Sequence, residues 1–119
     1  MPLATTEVQQ RRVMRIIARL NIGGPAIQAI TLTQELEPYG YSTRLVRGVE
    51  DAAEGNMDYL ADERGLVPTR VTELRRDPSL GDLVALIRLI RLMRDDRPAI
   101  VHTHAAKAGT LGRLASVLA

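Results

Sequence analysis

The sequence predicts an α/β fold built on a doubly wound parallel sheet. Short β-branched runs alternate with longer segments of helical periodicity, and glycine or proline marks the joins. The 119 residues are 45% apolar and 25% charged, which suits one domain with its own core. Strand, helix, strand, helix in alternation implies right-handed crossovers and a sheet covered on both faces.

Residues 1–12 read as a polar leader without the apolar core of a signal peptide. Residues 13–18 (VMRIIA) follow as the first strand. After a turn at 21–25, where Pro25 suits a first helical turn, residues 26–37 are a helix that offers Ile27, Ile30 and Leu36 to a buried face. Pro38 and Gly40 end it, and 42–47 (STRLVR) is the second strand. An acidic loop over 48–56 leads to a short helix at 57–64. Residues 67–74, between Pro68 and Pro78, make a short edge strand.

The clearest periodicity lies at 82–97. Leu83, Leu86, Ile87, Ile90 and Met93, widened by Leu89 and Leu92, form its apolar face. Arg88, Arg91, Arg94 and Arg97 fan over the other side. Residues 99–103 are a further strand, and 109–119 open another helix.

Composition excludes several chemistries. With no Cys, disulfide scaffolds, thiol catalysis and iron–sulfur clusters are out. Sixteen basic against 14 acidic side chains give a charge of only +2, and Tyr39, Tyr41 and Tyr59 are the only aromatics. No nucleic-acid partner is expected from such a surface. The longest charge-free stretch, 20–34, is too short and too polar to span a bilayer.

In doubly wound sheets ligands sit at the carboxyl ends of the strands, where the strand order reverses. Two turns qualify. The first, R-L-N-I-G-G-P-A, places Gly23 and Gly24 at a helix N-terminus, where backbone N–H groups can face phosphate. A plain tight turn would also favour glycine. A dinucleotide site is disfavoured, because the third glycine of GxGxxG is missing and Arg44 and Arg47 end the second strand. A Walker A loop is absent. The second turn, I-V-H-T-H-A-A-K-A-G, holds both histidines and the single lysine. Strand alternation sets His102 and His104 on one side. His102 reads as a core histidine. His104, at the strand's end, suits a sugar hydroxyl or a phosphate, with Lys107 and Gly109 following. No carboxylate or third histidine stands near enough in sequence to complete a metal set.

The string D-R-P-A-I-V-H-T-H-A-A-K-A-G-T-L-G-R-L-A resembles the fourth strand and following helix of glycosyltransferase family 4, enzymes of the GT-B fold. The G-G turn and the Leu/Arg-rich helix before V-H-T-H match the same pattern, so the likeness runs from Arg12 onward. It implies a Rossmann-like N-terminal acceptor-side domain over 13–119 facing a donor domain that these residues do not contain. It also implies retaining transfer from a nucleotide-sugar to a glycan or lipid-linked acceptor of bacterial cell-surface polysaccharide, without a metal or other cofactor. Gly23 and Gly24 would lie by the donor phosphates, His104 by the donor sugar, and Lys107 and Gly109 along the cleft. The expected location is cytoplasmic, with peripheral contact at the inner face of the plasma membrane through Arg88, Arg91 and Arg94. Ending inside a helix at Ala119, the chain is expected to be a truncated, inactive front part. The rival expectations are a non-catalytic module that pairs with a separate donor-domain chain or self-associates through its open sheet edge, and an NAD-dependent epimerase or dehydrogenase fragment.

Overall fold

The computed structural model describes residues 11–18, 24–48, 58–74, 80–104 and 106–119, and for 58, 106 and 107 the backbone alone. In chain order the elements are β1 (Arg11–Ile17), α1 (Gly24–Glu35), a 3₁₀ turn (Glu37–Tyr39), β2 (Tyr41–Arg47), α2 (Asp58–Glu63), β3 (Thr69–Arg70), α3 (Gly81–Asp96), β4 (Ile100–His104) and α4 (Ala106–Leu118). The strand begins at Arg11, so Arg11 and Arg12 belong to β1 and not to a leader. The acidic loop expected at 48–56 falls outside the described residues except for Gly48.

The four strands form one parallel sheet in the order β3-β2-β1-β4. The chain winds outward from β1 through β2 to β3, then crosses back to the other side of β1. Strand order therefore reverses between β1 and β4, as a doubly wound sheet requires. In that pair Arg15 lies opposite His102, Ile16 opposite Thr103, and Ile17 opposite His104.

Alternation along β1 feeds two cores. Met14, Ile16 and Ala18 face α3 and α4, where Ala85, Leu89, Met93, Ala108, Leu111 and Ala115 cover them together with Val46. Ile17 faces the other way, packing with Leu45 against Ala26, Ala29 and Ile30 of α1 and Ala61 of α2. Side chains as large as Met14, Ile16, Ile30 and Leu89 are fully buried, each contributing about 1.5–3 kcal/mol by removal from water.

The helices bury most of the expected apolar positions, with Ile30, Leu89 and Met93 in the core and Leu86, Ile90 and Leu92 packed against it, but their faces are turned toward alanine. In α1 the buried positions are Ala26, Ala29, Ile30 and Thr33, while Ile27 is exposed and Leu36 half-buried. Small Ala side chains at i, i+3 let the helix lie close on Ile17 and Leu45, a closeness that Ile27 would prevent. In α3 the buried line is Ala85, Leu89 and Met93, whereas Leu83 and Ile87 are exposed together with Leu80 and Val84. The arginines of α3 are partly committed within the chain. Arg88 donates to Glu73 at 2.6 Å and to the Arg70 carbonyl at 3.1 Å, and Arg94 to the Leu118 carbonyl at 3.3 Å. Arg97 closes α3 in the left-handed region, its N–H donating to Met93.

The last turn before α4 is shorter than expected. β4 runs to His104 and α4 begins at Ala106, so Lys107 and Gly109 belong to the first turn and a half of the helix. Glycine brings α4 close to the sheet: a methyl on Gly112 would stand 2.7 Å from Thr103 Cγ2 and 3.3 Å from Ile16 Cδ1. Gly48, whose N–H donates to the Ile17 carbonyl at 3.0 Å, is packed tighter still. A methyl there would overlap the backbone carbonyls of Ala18 and Leu74. No helix among the described residues is long and apolar enough to cross a membrane.

Candidate functional site

The sheet brings the carboxyl ends of β1 and β4 together. His104 is the last residue of β4, beside Ile17 at the end of β1. His102 and His104 point to the same face, with ring centroids 4.5 Å apart and planes inclined at 49°. Thr103, between them, faces α4 and its Gly109 and Gly112.

The floor under the two imidazoles is an arginine. Arg15 is 2% exposed. Its Nε–H donates to His102 Nδ1 at 3.0 Å, and its Nη1 to Thr33 Oγ1 at 2.9 Å. Thr33 in turn donates to the Ala29 carbonyl at 2.8 Å, which leaves its oxygen free to accept from Arg15. A guanidinium has donors only, so His102 Nδ1 is the acceptor and the ring proton of a neutral His102 sits on Nε2. Burial lowers the Arg15 pKa, with no carboxylate among the described residues beside it to oppose the shift. Sequence reading alone passes over Arg15 and Thr33. The available signal was a charged residue at an inward position between Val13 and Ile17.

Both imidazoles are held toward the neutral form. Burial lowers the His102 pKa first, and the Arg15 charge adds to it. For His104 burial again leads, followed by His102 and Arg15. The Nε2 atom of His104 is buried and has no hydrogen-bond partner among the described residues. Buried ring nitrogens are ordinarily satisfied, so an unpaired one at a strand end marks a place where a ligand hydroxyl or N–H is wanted.

The other expected site residues are placed as follows. Gly23 lies outside the described residues. Gly24 opens α1, is exposed, and has nothing within 4 Å of where a methyl would stand. The chain's own packing therefore does not require glycine there. Lys107 is in the first turn of α4, with only its backbone described. Gly109 is buried, facing Thr103 Oγ1 at the helix–sheet contact. Among the described residues no group of three or more His, Asp or Glu could hold a metal.

A groove of about 460 Å³ opens at the opposite, amino-terminal end of the sheet, between Arg12, Thr43, Arg44, Thr69 and Asp96. Its charged side chains are already engaged with one another. Arg44 grips Asp96 through two nitrogens and Thr69 through a third, and Arg12 donates to the Asp96 carbonyl. Chemistry therefore points to the carboxyl ends, away from this groove.

No family model matches the chain. Over 65 residues, 52% of the chain, it is 45% identical to the UDP-Gal:alpha-D-GlcNAc-diphosphoundecaprenol alpha-1,3-galactosyltransferase of Escherichia coli. That stretch is 16% of the enzyme's length. A crystal structure of UDP-N-acetylglucosamine 2-epimerase superposes on 92% of the chain with a TM-score of 0.65 and 20% identity. MurG of Acinetobacter baumannii superposes on 91% with a TM-score of 0.65 and 18% identity. The chain spans 31% of each of these two structures. The fold is therefore Rossmann-like α/β, shared with proteins about three times longer, and part of the sequence is similar to a galactosyltransferase.

Proposed function

We infer that this chain forms the acceptor-side part of a retaining glycosyltransferase that moves a hexose from a nucleotide-sugar to a lipid-linked or polysaccharide acceptor. The observation that carries this reading is the His104 imidazole, buried and unpartnered at Nε2, at the β1/β4 switch point. The likeness to the Escherichia coli enzyme supports a UDP-hexose donor and a GlcNAc-diphosphoundecaprenol type of acceptor.

In this reading the backbone N–H groups of Gly23 and Gly24 face the donor diphosphate, and the open space beside Gly24 at the start of α1 supports it. Neutral His104 contacts the donor sugar near the reacting carbon, and Lys107 brings positive charge to the cleft. Such donors stabilise the charge that grows on the departing diphosphate, so the reading includes no metal or other cofactor. A donor-binding half, in the same polypeptide or a separate one, completes the site, and the 119 residues alone do not transfer sugar. The work is cytoplasmic. Contact with the inner face of the plasma membrane, through Arg88, Arg91 and Arg94, rests most on Arg91, since the other two already donate within the chain. Liposome sedimentation tests it, and absence of binding removes it.

The test is His104→Ala in the full-length enzyme, followed by transfer of radiolabelled sugar from UDP-galactose to GlcNAc-diphosphoundecaprenol. Turnover should fall by about 100-fold or more with an unchanged circular dichroism spectrum. Unchanged turnover sinks the assignment. A second reading, a non-catalytic assembly module, is favoured by the outer edge of β4, which no described strand pairs. Light scattering that shows a monomer, with and without a candidate donor-domain chain, counts against it.

A further inference from the structure

The buried cation under the site is unusual enough to need a purpose. Arg15 is 2% exposed, and the partners described for it, His102 and Thr33, are neutral. A charge is expensive to bury without an anion unless the structure gains something from its field or its geometry. The contacts form a chain: Ala29 carbonyl, Thr33 hydroxyl, Arg15 guanidinium, His102 ring, then His104 at 4.5 Å. Both imidazoles are partly exposed, and His104 is the last residue of β4.

We propose that Arg15 is a positioning residue that acts on His104 through His102, fixing His102 as an Nδ1 acceptor so that the paired rings present a neutral His104 Nε2 to the sugar. Its bearing on catalysis rests on the substrate contact given to His104 above. The geometry supports it in two ways. Arg15 is level with His102 in the β1/β4 register, two positions before His104, so its charge lies on the sheet side of the strand end. The Nε donor also pins the ring of His102, against which His104 is set.

Among the described residues the charged groups around the pair are few. β1 contributes Arg15, α1 contributes only the uncharged Thr33, and β2 carries Arg47 at the inner face one strand further away. α4 has Lys107 in its first turn. Arg15 and His102 act on His104, both opposing its protonation, as does burial. Losing the guanidinium should therefore make both rings easier to protonate.

The sequence has two histidines, so their ring Cε1–H signals can be followed directly by NMR. In the wild-type chain both should titrate below the ordinary value of about 6.5. Ring nitrogen shifts should identify Nδ1 as the bare nitrogen of His102. Arg15→Met should move both midpoints up, while Arg15→Lys, which keeps the charge, should move them less. In the full-length enzyme the acid limb of kcat/KM should shift up in step, and kcat at pH 8 should fall more in Arg15→Met than in Arg15→Lys. Unmoved midpoints in a folded Arg15→Met chain overturn the proposal. If that variant does not fold, a protonated Nδ1 on wild-type His102 overturns it equally. Shifted midpoints together with full activity of His104→Ala leave the arginine arrangement standing and remove the sugar-contact reading instead.

Discussion

Two glycines three residues apart on α4 should respond to the same substitution with opposite signs. Gly109→Ala adds a methyl 3.6 Å from Thr103 Oγ1, an ordinary van der Waals contact. What remains is the propensity gain of alanine over glycine in a helix, about 1 kcal/mol of stabilisation. Gly112→Ala has the same gain but sets its methyl 2.7 Å from Thr103 Cγ2. Thr103 is β-branched and stiff about χ1, so it cannot turn aside freely. Overpacking of this kind costs about 1–3 kcal/mol, leaving a net loss of about 0–2 kcal/mol. The two variants should thus differ by about 1–3 kcal/mol in urea denaturation followed by circular dichroism. Thr103→Ser removes the offending methyl, so in the Gly112→Ala background it should restore most of the loss. A double-mutant cycle reads that coupling directly. Equal stabilities for the two glycine variants would refute the seating of α4 on Thr103, and with it the placement of the flanking histidines.

Gly48→Ala should be among the most damaging single changes, about 3 kcal/mol or more, because backbone carbonyls of Ala18 and Leu74 must both move. Thermal melting checks it, and a wild-type midpoint would contradict the packing. Acid should also destabilise the fold through the histidines. Their folded pKa values lie below the unfolded one, so the unfolded chain takes up protons first as pH drops. Stability is full above about pH 6.5 and declines from there until the folded values are passed. Replacing both histidines with Gln should flatten that part of the stability–pH curve.

Much of this architecture was legible because strand signals are local. The β-branched runs in β1, β2 and β4 mark themselves, and Pro68 and Pro78 foretold that the strand between them would be short and at an edge. Which helix face turns inward was not legible from apolarity alone. α1 and α3 bury Ala26, Ala29 and Ala85 where the sheet comes close, and expose bulkier Ile27, Leu83 and Ile87. The start of α4 was missed because A-A-K-A propagates a helix as readily as it makes a turn, so the helix reaches back almost to His104. For the site, the sequence named His104. It did not name Arg15, whose role depends on a strand pairing that brings residues 87 positions apart into contact.

That separation has a consequence for how the molecule is made. β1 leaves the ribosome early, and β2 and β3 can dock on one of its edges soon afterwards. Its other edge must wait for β4. At ~5–20 residues per second, roughly 4–17 s pass between synthesis of Arg15 and of His102. Closing so long a span is entropically slow, and contacts of this kind dominate folding time. Meanwhile β1 offers an unpaired edge, the feature that invites strands from other chains. Arrival of β4 covers that edge of β1 and gives the buried guanidinium its imidazole in the same step, and among the described strands the unpaired edge passes to β4 itself.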